Sequence, residues 1–170
     1  MTKIVQKDTK EGKVLRDIAK EVSPKEIGSD KLSKILHDMR IALEGEDDGV
    51  ALAAPQIAVS KRIFVVSPRV FRNDPENMQL VFINPEIVKK SNDKKSMEEG
   101  CLSVRPWYGK TKRASRATVK ALDENGNEFT LEGSGLLAQI FQHEVDHLNG
   151  ILFSDHAKDL IELEIKNESK

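Results

Sequence analysis

A single cysteine, Cys101, occurs in the 170 residues. One cysteine excludes an internal disulfide framework, and a reducing compartment follows as the simplest setting. No run comes near the ~18 consecutive apolar residues of a membrane span, and the first ten residues contain three lysines but no apolar stretch. A secretory signal is therefore not visible, nor is the Arg- and Ser-rich character of a transit peptide. These absences lead to the expectation of a soluble, cytoplasmic protein. The formal net charge is only −1, which argues against a broad electrostatic footprint for DNA or other nucleic acid. The local basic group Lys110, Lys112, Arg113 and Arg116 reads as a solvated edge strand. Repeats and low-complexity segments are also missing.

What remains is the composition of a globular protein, 38% hydrophobic and 32% charged, long enough for one domain with a real core. We expect a single domain over residues 1–170, with a polar tail from about residue 158 that frays. Residues 14–22 are weakly patterned and are expected to wrap the domain. Ser29 or Asp30 can cap a helix in which Leu32, Ile35, Leu36, Met39 and Leu43 form one apolar stripe, ending near Glu44-Gly45. The acidic run Glu44–Asp48 reads as a solvated loop, with no function assigned to it. Strands are expected at 62–67, at 80–83 and 86–90 around Asn84-Pro85, and at 117–122 and 128–132 about the turn Asp123–Asn127. A second helix is expected from about Ser134 to Leu148, apolar over a wide arc and closed by Gly150. The fold class is α+β, with antiparallel strands packed around that central helix.

The chemistry concentrates on the second helix, where His143-Glu144-Val145-Asp146-His147 is an H-E-x-x-H sequence. Helical positions i and i+4 lie one above the other on one face, so His143 and His147 can bind one ion. Glu144 can then reach a water on that ion as general base. A buried ionisable cluster of this kind is costly without a metal. A third ligand is needed, and no downstream H-x-x-G-x-x-H extension exists. Cys101 follows Gly100 in Glu99-Gly100-Cys101-Leu102-Ser103, where a backbone can approach a ligand closely, and is the better candidate than the downstream acids. Two imidazoles and one thiolate leave a four-coordinate ion with an open position. Gly49–Gln56 adds small side chains that let an extended substrate pair with the backbone, and Gln56 can donate an amide N–H to an oxyanion. Gln142 and Asp146 are candidates to orient the ligands, and Arg113 to anchor Glu99 or Asp146. His37 and His156 read as ordinary surface residues.

Together, Gly49–Gln56, Glu99–Ser103 and Gln142–Leu148 resemble, in order and spacing, the three motifs of the peptide deformylase family: G-φ-G-φ-A-A-x-Q, E-G-C-L-S and Q-H-E-x-D-H-L, with φ apolar. The resemblance covers most of residues 10–155. It implies hydrolysis of the N-formyl group from the initiator methionine of new polypeptides, with release of formate. Cys101, His143 and His147 would bind one divalent metal, iron(II) by resemblance, with zinc, nickel or cobalt also suited to the donor set. Glu144 would move the proton, and Gln56 with the backbone N–H of Leu102 would stabilise the oxyanion. The backbone of Gly49, Val50 and Ala51 would pair with the peptide, while Val50, Gly100 and Ile140 would line the methionine pocket. The partners implied are N-formylmethionyl nascent chains, with a possible ribosome contact, no membrane, and a monomeric state. Ala51 departs from the family's second glycine. If that position required a left-handed backbone, its methyl would cost about 1 kcal/mol. Two alternatives stay open: an H-E-x-x-H endopeptidase with a downstream ligand, and a non-catalytic binding protein that keeps the fold.

Overall fold

The computed structural model describes residues 2–163. Helix α1 spans Asp30–Glu44 and is capped by Ser29, whose hydroxyl accepts the Leu32 N–H at 3.2 Å. Its buried stripe is Leu32, Leu36, Met39, Ala42 and Leu43. Five antiparallel strands follow the order β1-β2-β3-β6-β7: β1 (Ala51–Ala53), β2 (Ile63–Val66), β3 (Val81–Lys90), β6 (Arg116–Leu122) and β7 (Glu128–Ser134). A second sheet has the order β4-β5-β8, from β4 (Lys94–Gly100), β5 (Trp107–Ala114) and β8 (Lys158–Glu162). Helix α2 (Leu136–Leu148) packs on the large sheet and also touches β5.

Strand alternation explains how one sheet serves both helices. On β2, Ile63 and Val65 join the α1 cluster, while Phe64 and Val66 join the α2 cluster. All four are buried, so β2 reads as a continuous apolar run. Phe64 and Phe82 stack at 4.3 Å, and both rings meet Phe141 of α2, at 6.4 and 5.5 Å. This aromatic group fixes α2 against the sheet from its middle turn, which holds the metal-motif side of the helix in place.

The α+β class, the capped first helix and the Asp123–Asn127 turn agree with the sequence reading. Four expectations are corrected. The segments around Asn84-Pro85 form one strand, with a register shift between Ile83 and Glu86. Asn84 takes a left-handed backbone (φ 49°), and its amide bridges both backbone groups of Val22. The basic group does not form an edge: β5 is the central strand of its sheet, and Arg113 is buried. Helix α2 begins at Leu136, after Gly135 in the left-handed region (φ 55°), because Ser134 still belongs to β7. The start of the polar tail is strand β8, paired with β5, and residues 164–170 lie outside the described residues. Among the described residues, no helix is long and apolar enough to cross a membrane.

Candidate active site

Helix α2 carries His143, Glu144 and His147 inward, and the end of β4 delivers Cys101 to the same point. The ligand atoms of Cys101, His143 and His147 all lie within 4.8 Å of one another. Cys101 Sγ is 3.2 Å from His147 Nε2. His143 Nδ1 is 2.7 Å from Glu99 Oε1, which leaves its Nε2 as the ligand atom. Burial pulls the His147 ring well below its ordinary pKa, while at His143 burial is outweighed by hydrogen bonds to Cys101 and Glu99, which hold that ring well above its own. The His147 Nδ1 is buried and has no partner among the described residues. A soft sulfur and two imidazole nitrogens at this spacing fit a divalent ion with one position open.

Glu99 organises the ligands from behind. It is 5% exposed and accepts hydrogen bonds from Thr111 Oγ1 (2.6 Å), Arg113 Nε (3.0 Å) and Gln139 Nε2 (3.2 Å), besides its contact with His143. Burial alone would raise its carboxyl, but the hydrogen bonds of His143 and Arg113 outweigh it and hold Glu99 well below the usual range. Arg113 also reaches Asp146 at 2.7 Å, so it anchors both acids rather than one. Gln142 exchanges hydrogen bonds with both backbone groups of Ala114, pinning α2 to the end of β5 and not to a ligand. Glu144 is buried, its Oε2 has no partner among the described residues, and burial pushes its carboxyl up to about 7. That is a group poised to take and return a proton near neutrality.

A cleft of about 220 Å³ opens on this cluster. One wall is Gly49, Val50 and Ala51, the other Gly100, Cys101 and Leu102. Each wall runs into an edge strand, the first at Ala51 of β1 and the second at Gly100 of β4. Gln56 fixes its Oε1 on the Ala53 N–H (2.8 Å), which aims Nε2 at Ser103 Oγ (3.2 Å) and Cys101 Sγ (3.6 Å). The Leu102 carbonyl is held by Gln6 Nε2 at 2.8 Å, and its N–H has no acceptor among the described residues. Ile140 is buried and lines the cleft, and half-exposed Val50 lines it from the β1 side. Ala51 carries no strain: it is extended, it is absent from the left-handed positions, and its methyl joins the α2 cluster.

The geometry also restricts the peptide-pairing edge. The Gly49 N–H donates to Glu46 O (3.1 Å), its carbonyl accepts from Arg69 (3.0 Å), and the Val50 carbonyl accepts the Ser67 N–H (2.8 Å). Strand alternation therefore turns the Ala51 N–H and C=O to the open edge. The acidic run, expected as a solvated loop, is largely exposed and is tied at two points to the cleft mouth. Glu46 and Asp48 both bind Arg105 (2.8 and 2.5 Å), and Asp48 also accepts the Tyr108 hydroxyl (3.2 Å) at the cleft mouth. Arg105, Tyr108 and Gln139 were not singled out from sequence. Only Gln139 left a trace there, as a polar residue on the apolar arc of α2.

Comparisons with known proteins agree with this geometry. The sequence profile of polypeptide deformylase matches residues 1–162. Peptide deformylase 2 of Clostridium acetobutylicum is 43% identical over 145 residues, covering 85% of this chain and 89% of that protein. The peptide deformylase of Halothermothrix orenii is 48% identical over 143 residues, covering 84% and 86%. Among solved structures, a peptide deformylase from Legionella pneumophila superposes with a TM-score of 0.79 at 40% identity, covering 94% of this chain and 87% of that one. A class I type b peptide deformylase from Acinetobacter baumannii, bound to Met-Ala-Ser, superposes at 0.78 with 35% identity, covering 92% and 99%. With a family match over nearly its whole length and relatives at 43% and 48% identity, the chain belongs to the polypeptide deformylase family, hydrolases that remove the N-formyl group from newly made polypeptides.

Proposed function

We propose that this chain deformylates N-formylmethionyl nascent peptides at the cleft above Cys101, His143 and His147. The observation that carries the reading is the convergence of these three ligand atoms within 4.8 Å, beside a buried carboxyl, Glu144, with an unpartnered oxygen. A divalent ion held by the triad supplies Lewis acidity and draws the pKa of water down toward ~7. Of the ions this donor set suits, the family resemblance favours iron(II) over zinc, nickel or cobalt.

The protein's own groups carry the rest. The formylated peptide lies extended between the edges of β1 and β4 and pairs with the Ala51 backbone. Its first side chain enters the pocket lined by Val50, Gly100 and Ile140. The Gln56 amide and the Leu102 N–H donate to the formyl oxygen as it gains negative charge, each worth roughly 3 kcal/mol. Glu144 accepts the proton released when water adds to the formyl carbon and returns it to the departing amine nitrogen. Glu99 holds His143 by Nδ1, fixing which nitrogen faces the ion. The Met-Ala-Ser bound to the Acinetobacter relative has the chemistry of the peptide product this reaction leaves.

The same reading covers the setting. A lone cysteine used as a ligand suits a reducing cytoplasm. The apolar stripes of α1 and α2 are buried in two clusters built on the same sheet, which supports a single catalytic domain acting as a monomer. The nascent substrates bring the enzyme to the ribosome. The test is formate release from formyl-Met-Ala-Ser by protein reconstituted anaerobically with iron(II), with Glu144→Ala alongside. Release by the wild type alone is expected. Equal release by the variant, or none by metal-loaded wild type, overturns the assignment.

A further inference from the structure

Gln139 sits on the wall of the cleft, one turn of α2 before His143, and is 7% exposed. Its orientation is fixed by two acceptors: Nε2 donates to the Glu98 carbonyl at 2.8 Å and to Glu99 Oε2 at 3.2 Å. That network settles which end of the amide is nitrogen. Oε1 has no hydrogen-bond partner among the described residues, yet it is not one of the fully occluded orphan atoms. Gln139 lines the cleft with Ile140 and Gly100, and Oε1 is the end of its amide left free to meet a ligand there. The pocket for the first side chain thus contains a pre-oriented, unpaired acceptor beside Val50, Gly100 and Ile140.

We infer that Gln139 is a specificity-determining residue, whose Oε1 lets this deformylase accept formyl-peptides with a hydrogen-bond donor at the end of an unbranched first side chain. The inference rests on the placement of the methionine pocket proposed above. Glutamine meets the requirement: it matches methionine in length, and its terminal N–H can donate to Gln139 Oε1. A methionine or norleucine side chain cannot, and leaves that acceptor buried without a partner, which is costly. A wall with no acceptor would instead reject the glutamine amide by about 10- to 100-fold.

The test compares kcat/KM for formyl-Met-Ala-Ser, formyl-norleucyl-Ala-Ser and formyl-Gln-Ala-Ser in wild type and in Gln139→Leu and Gln139→Met. Gln139 also supports Glu99, and loss of that support lowers turnover of all three peptides alike, so the ratio between peptides isolates the pocket. The wild type is expected to prefer norleucine over glutamine by less than about 10-fold, and both variants to raise that preference at least about 10-fold. Binding of the products Gln-Ala-Ser and norleucyl-Ala-Ser, followed by calorimetry, should shift in the same sense. An unchanged ratio in a folded variant refutes the inference. If neither variant folds, a wild-type preference for norleucine above about 10-fold refutes it. No turnover of formyl-Met-Ala-Ser by the wild type would instead defeat the proposed function itself.

Discussion

Replacing Glu99 with glutamine should weaken both the fold and the metal site, by amounts the structure sets. Glu99 is 5% exposed and carries contacts to His143, Arg113, Thr111 and Gln139. An amide keeps the shape but loses the charge and turns one oxygen into a donor, facing groups that already donate. Removing one partner of a buried ion pair costs about 3–5 kcal/mol. Arg113 retains Asp146 at 2.7 Å, so the lower end applies, about 3 kcal/mol in urea unfolding. His143 also loses the acceptor that orients it, and a lost partner of this type weakens metal binding by about 10- to 100-fold. Adding Arg113→Met should recover at least about 1 kcal/mol of the summed single losses, because the stranded buried charge is removed as well. If Glu99→Gln lost under about 1 kcal/mol and bound metal as tightly as wild type, the role given to this network would be wrong.

Three further outcomes follow from particular contacts. A Cβ at Gly100 would be driven into the Tyr108 ring, so Gly100→Ala should lower kcat/KM at least about 10-fold, with part of the loss restored by Tyr108→Leu; an inert Gly100→Ala counts against the packed wall. Ala51→Gly should cost about 0.5–1 kcal/mol of stability by thermal or urea unfolding, since the strand is extended and nothing is gained by glycine; a stabilised variant would show hidden strain. The hydrogen bonds of Arg16 hold the Asp155 carboxyl below its ordinary 3.8, so its contribution is complete above that value and fades as pH falls through the lower folded value. Asp155→Asn should therefore cost up to about 1 kcal/mol at neutral pH, both groups being partly exposed, and progressively less in acid; a gap that widened on acidification would contradict the sign.

The parts legible in sequence were those whose signal is local. The α1 stripe, its Ser29 cap, the Asp123–Asn127 turn and the i, i+4 histidines are each set by residues spaced at most four apart along the chain. Sheet β4-β5-β8 was illegible for a physical reason. Lys94, Lys95, Ser96, Lys110 and Lys112 are exposed, and every residue of β8 is exposed, so little period-2 apolar pattern exists to read. Those strands form by pairing, which sequence alone does not announce. The partner of the acidic run was hidden for a related reason: Glu46 and Asp48 find Arg105 from nearly sixty positions away, and their neighbours in sequence show only the solvated loop. Gln139 is the same case in the site. Its meaning depends on the Glu98 carbonyl and Glu99 carboxylate that the end of β4 brings to it.

The central claim is that Cys101, His143 and His147 together hold the catalytic ion. X-ray absorption of the zinc-loaded protein tests it most directly. The expected spectrum has one sulfur at about 2.3 Å and two imidazole nitrogens at about 2.0–2.1 Å, with the sulfur contribution lost in Cys101→Ser. A wild-type spectrum without sulfur, or a Cys101→Ser protein with an unchanged spectrum, would contradict the account.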